Sequence, residues 1–243
     1  MRRILIGLCI VCMMAAAAAA DYIHLPRKWS QTPYDAEQSS LPISDCEFSD
    51  WVWADDFLCQ DTHPIVAVRW WGLYGAARDP MPPGHVDAHI SFHLSQGEHP
   101  TSVPFDEPVA FYTVSAQQEA VGYSSAWGTT VYRYDAYLPE EFDQWHWSHE
   151  VASEVPGANI GELFIDICVP DPDYRWLWLS LSQSDTPILD WPAFSNSGHS
   201  GPWVSRGDMG YSMSFELMTP EPATMALLGL GLAGLIARRR RRP

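Results

Sequence analysis

An all-β, antiparallel sandwich or jelly-roll-like single domain is the fold class that this 243-residue sequence predicts. Three observations carry it. Apolar residues recur with a period of two through many short segments. Turns rich in Pro and Gly, drawn from 20 Pro and 16 Gly, separate those segments. Few stretches show helical spacing. The expected organisation is a signal peptide over 1–20, an extended arm over 21–45, the β domain over 46–218 and a C-terminal signal over 219–243.

The chain opens "MRRILIGLCIVCMMAAAAAADY". Arg2 and Arg3 precede an apolar run from Ile4 to Met14, and Ala15 to Ala20 offer A-x-A cleavage sites before Asp21. These are the parts of a secretory signal peptide, a helix removed on export by signal peptidase. The run is shorter than the ~20 residues of a membrane span. Cys9 and Cys12 lie inside it and not at the cleavage point, which disfavours lipidation.

Tyr22 to Asp45 is polar and dotted with Pro, as expected of an extended arm. "PIVAVRWWGLYG" from Pro64 is a β-branched run leading into aromatics and ending at Gly75. "HVDAHISFHL" alternates, with Val86, Ala88, Ile90, Phe92 and Leu94 on one face and Asp87, His89, Ser91 and His93 on the other. "PVAFYTVSAQ" from Pro108 and "TTVYRYDAYL" from Thr129 are further strands, the second ending at Pro139. "PEEFDQWHWSHEV" reads as a short helix, with Pro139 near its start and acids in its first turn. "GELFIDICV" and "YRWLWLSLSQ" are core strands parted by the turn "PDPD". "GYSMSFELM" closes the domain.

Without residues 1–20 and 220–243, seven Lys and Arg stand against 29 Asp and Glu, a net charge of −22. Nucleic acid and anionic membrane are poor partners for such a surface, because phosphate contacts need Lys and Arg. Solubility and divalent cations are favoured. All twelve Trp fall in this part, ample for a packed core. Three Cys remain: Cys46, Cys59 and Cys168. Cys46 with Cys59 would close a short loop in an oxidising compartment. Cys59 with Cys168 is the alternative, and one thiol is left over in either case.

The tail is "PEPATMALLGLGLAGLIARRRRRP". Ala223 to Ala237 form a short uncharged run, and Arg238, Arg239, Arg240, Arg241 and Arg242 would hold its end at the cytoplasmic face. Pro220, Glu221 and Pro222 stand directly before it. The combination of Pro-Glu-Pro, a short transmembrane helix and a terminal Arg cluster resembles the PEP-CTERM sorting signal of Gram-negative bacteria. That resemblance implies transient residence in the inner membrane, processing by an exosortase, and a final place at the cell surface or in extracellular polymer.

A second resemblance covers most of the remaining chain. "RKWSQTP" and "WADDFLCQDTHPIVAVRWWGLY" are similar to a family of uncharacterised exported proteins, mainly of planctomycete-like bacteria. The match falls on Lys28, Trp29, Gln31, Ala54, Asp55, Asp56, Phe57, Cys59, Trp70, Trp71 and Gly72. It departs at Leu73, where a small polar residue is expected. The resemblance implies a β-rich domain and brings no catalytic residues.

Several groupings bear on chemistry. His85, His89 and His93 are four apart, but on a strand that spacing is ~13 Å, too far for one ion. Asp87 with His89 would supply two metal ligands if a neighbouring strand gave more; otherwise this is a solvated strand face. His146, His149 and Glu150 have the order His-x-x-His-Glu, which is not a zincin motif. Asp171 and Asp173 offer oxygens to Ca²⁺, but the full loop is lacking and a β-turn accounts for them. No metal site is therefore assigned.

Close acid pairs (Asp55/Asp56, Glu140/Glu141, Asp171/Asp173) are expected by chance in so acidic a chain. A glycoside hydrolase would need two of them at a set separation. No G-x-S-x-G, phosphate loop or dinucleotide fingerprint occurs. Trp-x-Trp occurs at Trp51/Trp53, Trp145/Trp147 and Trp176/Trp178. Trp176 and Trp178 alternate with Leu and read as core. Trp51 and Trp53, beside acids, are the candidate platform for stacking a polysaccharide. The expected function is a non-catalytic matrix or surface domain, with a carbohydrate-active enzyme as the alternative.

Overall fold

The computed structural model describes residues 25–31, 51–75, 84–98, 101–125, 127–170, 175–182, 192–206 and 211–220. The signal peptide, most of the arm, Cys46, Asp171, Asp173 and the tail from Glu221 lie outside these. No helix among the described residues is long and apolar enough to cross a membrane.

Fourteen strands occur among the described residues. They are β1 (Arg27–Gln31), β2 (Val52–Leu58), β3 (Ile65–Tyr74), β4 (Gly84–Gln96), β5 (Val103–Pro104), β6 (Ala110–Ser124) and β7 (Thr129–Phe142). After a π-helical turn (His146–Val151) come β8 (Ala158–Cys168), β9 (Trp176–Trp178), β10 (Ser180–Ser182) and β11 (Ala193–Ser195). A 3-10 turn (Gly198–Ser200), β12 (Val204–Ser205), β13 (Tyr211–Met213) and β14 (Phe215–Met218) complete the order.

Twelve strands form one sheet in the order β1-β14-β3-β7-β6-β4-β8-β2-β11-β12, with β5 beside β4 and β9 beside β3. The all-β antiparallel expectation holds, but the stacked sandwich does not. One long sheet replaces it, and only β10 and β13 pair apart from it. Sheets of long strands twist, and here strands distant in the order meet. Phe57 of β2 packs edge-on against Phe215 of β14 at 6.4 Å. The Met213 N–H donates to Asp55 Oδ2 at 2.7 Å.

The core follows the period-two pattern. Trp70, Ile90, Phe92, Tyr134, Ile165, Trp176 and Trp178 are all fully buried in one cluster. Trp70 stacks on Tyr134 with centroids 5.4 Å apart, and Phe92 on Phe142 at 4.0 Å. Two of the buried indoles satisfy their N–H groups, whereas Trp70 Nε1 has no hydrogen-bond partner among the described residues. Trp176 Nε1 donates to the Tyr134 hydroxyl at 3.2 Å, and Trp178 Nε1 to the Ser214 carbonyl at 2.9 Å.

Three local expectations change. Part of the expected arm is β1, paired antiparallel with β14. β7 runs through Pro139 to Phe142, because the β3–β7 register shifts between Ile65 and Ala67. A residue without an N–H is tolerated at such an irregularity. "YRWLWLSLSQ" divides in two: β9 pairs with β3, and β10 with β13.

The opposite face of the sheet buries charge. Ser30, Glu216, Arg69, Asp135 and Gln117 form one cross-strand row. Arg69 Nε donates to Asp135 Oδ1 at 2.5 Å and its Nη1 to Glu216 Oε2 at 3.3 Å. Elsewhere, Glu162 accepts from Ser95 Oγ and Ser102 Oγ, both at 2.8 Å.

Candidate functional site

β4 and β8 pair antiparallel, with His89 opposite Cys168, Ser91 opposite Asp166 and His93 opposite Phe164. Alternation sends His89, Ser91 and His93 to the same face as Asp166 and Cys168. The segment from β11 to β12 brings His199 onto this face from its 3-10 turn.

Asp166 is the centre of the group. It is fully buried. Its Oδ1 lies 2.5 Å from His199 Nδ1, and its Oδ2 lies 2.7 Å from His93 Nε2. His93 Nδ1 lies 2.8 Å from the Phe105 carbonyl oxygen, so both of its ring nitrogens face acceptors. Trp203 packs edge-on against His93, with centroids 5.4 Å apart. Ser91 Oγ lies 3.1 Å from His199 Nδ1.

Burial would raise the Asp166 carboxyl, but the charge and hydrogen bond of His199 and the bond to His93 outweigh it and hold the group below the usual carboxylate range. Burial would likewise lower His199, but Asp166 raises it above the ordinary histidine value. With Nδ1 turned to Asp166, the other nitrogen of His199 points to Cys168. Nε2 lies 3.6 Å from Cys168 Sγ, and His89 Nδ1 lies 4.0 Å from the same sulfur. One donor atom from each of His89, Cys168 and His199 falls within 4.8 Å of the other two. Phe111, nearly half exposed, borders both imidazoles at 5.3 and 5.2 Å.

The cysteines depart from expectation. Cys59 has a free, buried thiol, so neither the Cys46–Cys59 nor the Cys59–Cys168 bridge forms. Register explains the second: Ala54 lies opposite Asp166, which sets Cys168 level with Val52, about 23 Å along the strands from Cys59. Cys168 is the bridged cysteine, and its partner lies outside the described residues. Burial pushes the Cys59 thiol up, against a lowering contact from Ser148.

The expected solvated histidine face is covered over its second half, where His93 is fully buried. His85 and Asp87 stay exposed and apart from the cluster. Of the candidate platform, Trp51 is 41% exposed, whereas Trp53 is 6% exposed and belongs to the core. Both contact Phe194. The platform is therefore one ring and not two. His146 pairs with Glu150 at 2.8 Å, as the i,i+4 spacing requires. The His149 ring stacks on Trp145 at 3.8 Å, so this histidine group does not converge on an ion. Asp55 and Asp56 are buried and adjacent on β2, facing opposite sides, which rules out a paired action.

Sequence reasoning passed over Asp166 and His199. For Asp166 a signal existed, an acid inside the core run "FIDIC". For His199, in "SNSGHSGP", none did.

No curated protein and no solved structure matches the chain. The PEP-CTERM protein-sorting motif matches residues 219–242, which supports export and exosortase processing. The expected Pro220, Glu221, Pro222 and Arg238 to Arg242 all fall within it. The remaining match spans residues 27–193, from the first strand of the sheet to the start of β11, and by it the chain belongs to the family described as a domain of unknown function (DUF7901).

Proposed function

We propose that the chain is a non-catalytic β domain displayed at the cell surface or in extracellular matrix once an exosortase has removed its tail. The observation that carries this reading is the position of the sorting motif. It begins at residue 219, immediately after β14 ends at Met218, so the folded body is delivered with almost no spacer. Non-catalysis is supported by the engagement of four of the six buried acids among the described residues. Asp135, Asp166, Glu162 and Glu216 each hold two or more structural hydrogen bonds or ion pairs. A carboxylate so tied is a poor acid or base for a sugar substrate.

Polysaccharide is the proposed contact, through exposed rings. Trp51 is the first such ring. Trp127 and Tyr123, at the β6–β7 hairpin, are 46% and 60% exposed. Flat rings of this kind stack on sugars. Two measurements test the reading. Mass spectrometry of surface protein should find the chain ending before Arg238; an intact Arg238 to Pro243 would refute sorting. A polysaccharide screen should give binding that Trp51→Ala weakens. Release of sugar products would overturn the non-catalytic part.

A further inference from the structure

We propose that His89, His199 and Cys168 form a latent transition-metal site, closed while Cys168 is bridged and opened when that disulfide is reduced. Three features point to it. First, the donors are of the right kind. Two imidazoles and a thiolate suit zinc or a related borderline ion. Second, the spacing is close to what an ion requires. A tetrahedral ion at about 2.0–2.3 Å from its ligands sets them roughly 3.5 Å apart. The His199 Nε2 to Cys168 Sγ distance is 3.6 Å and the His89 Nδ1 to Sγ distance is 4.0 Å. All three donor atoms lie within 4.8 Å of one another, and a side-chain adjustment of His89 brings them to that spacing.

Third, the support around the ligands is already built. A metal-bound histidine commonly gives its other ring N–H to a carboxylate, which fixes the tautomer and aims the lone pair. Asp166 Oδ1 accepts from His199 Nδ1 at 2.5 Å, and its Oδ2 accepts from His93 Nε2 at 2.7 Å. Asp166 is thus a positioning residue. The half-exposed Phe111 beside both imidazoles leaves the outer side open for a fourth ligand from solvent.

The disulfide is the gate, because a bridged sulfur carries no thiolate. A dithiol reductant supplies two electrons and two protons, becomes a disulfide itself, and leaves Cys168 and its partner as thiols. The metal then displaces the Cys168 thiol proton, and the thiolate sulfur becomes the third protein ligand.

The test is Co²⁺ and Zn²⁺ binding by the full chain, before and after a dithiol, with circular dichroism tracking the strands. The reduced chain should bind one Co²⁺ at this site with a thiolate-to-cobalt charge-transfer band, at least about tenfold more tightly than the oxidised chain. Either His199→Ala or Cys168→Ser should abolish the band. Asp166→Asn should weaken binding by about 10- to 100-fold. Zn²⁺ should slow alkylation of Cys168 in the reduced chain, read by peptide mass spectrometry. Equal binding by both redox forms, a band that survives His199→Ala, or unslowed alkylation would overturn the proposal. So would a reduced chain that has lost its strands.

Discussion

Replacing Arg69 by Met is expected to destabilise the fold by about 3 kcal/mol. The side chain is 4% exposed and joins two acids from neighbouring strands, Asp135 and Glu216, that are 5% and 1% exposed. Removing one partner of a buried ion pair costs about 3–5 kcal/mol, because the remaining charge keeps its desolvation penalty without its counterion. Two facts place this case at the low end. Asp135 retains Arg133 at 2.9 Å. Glu216 retains Ser30 at 2.9 Å and the half-exposed Arg27 at 3.1 Å. For a domain of this size, 3 kcal/mol corresponds to a fall in Tm of about 6–12 °C. Urea unfolding measures it, with an unchanged m-value showing that the loss is in stability. Glu216→Gln in the Arg69→Met background should restore part of it, since neutralising the stranded acid removes its penalty. A loss below about 1 kcal/mol, or strict additivity of the two substitutions, would refute the reasoning.

Other outcomes follow from single contacts. Gly72→Ala should cost about 2 kcal/mol in thermal unfolding, because a Cβ there would meet the rigid Trp176 indole, with Cε2 at 2.6 Å; an unchanged Tm would show that Trp176 can move. In the native state Cys59 should alkylate far more slowly than in urea, as burial both hides the thiol and raises it; equal rates by mass spectrometry would contradict its packing. Lys28, the only lysine, pairs with Asp61 and donates to the His63 carbonyl at 2.6 Å. Burial raises the Asp61 carboxyl, but the Lys28 contact, together with hydrogen bonds from His63, outweighs it and leaves the group below its ordinary value of 3.8. That contribution is complete above pH 3.8 and is lost as pH falls through the lower folded value. The stability gap between wild type and Lys28→Met should therefore narrow below pH 3.8, and a constant gap would refute the assignment.

The strands most legible in the sequence were those with an apolar face and clear turns. β3, β4 and β8 lie where alternation put them. β2 was harder to read, since "ADD" sits in its middle. Its acids are tolerated because tertiary partners meet them. Gln31, its amide oriented to suit its neighbours, donates to Asp55 Oδ2 at 3.0 Å and to the Met213 carbonyl at 2.7 Å. Lys28 and Cys59 likewise meet at one turn, where Cys59 Sγ faces the Asp61 carbonyl at 3.4 Å. The two stretches "RKWSQ" and "ADDFLC" are thus joined by contacts that neither stretch reveals.

By itself the sequence determined the strand periodicity, the acidity of the body and the character of the tail. These depend on local order, because side chains alternate along any strand and a sorting signal is read as a linear string. Only the tertiary structure decided that the strands form one sheet, that Cys59 stays free, and that His89 and His93, four residues apart, take different partners. Those outcomes depend on cross-strand register and on where a distant turn lands. The β4–β8 pairing sets Cys168 beside His89, and the turn at His199 completes the group around Asp166. Nothing in the spacing of His89, Asp166 and His199 along the chain encodes that meeting.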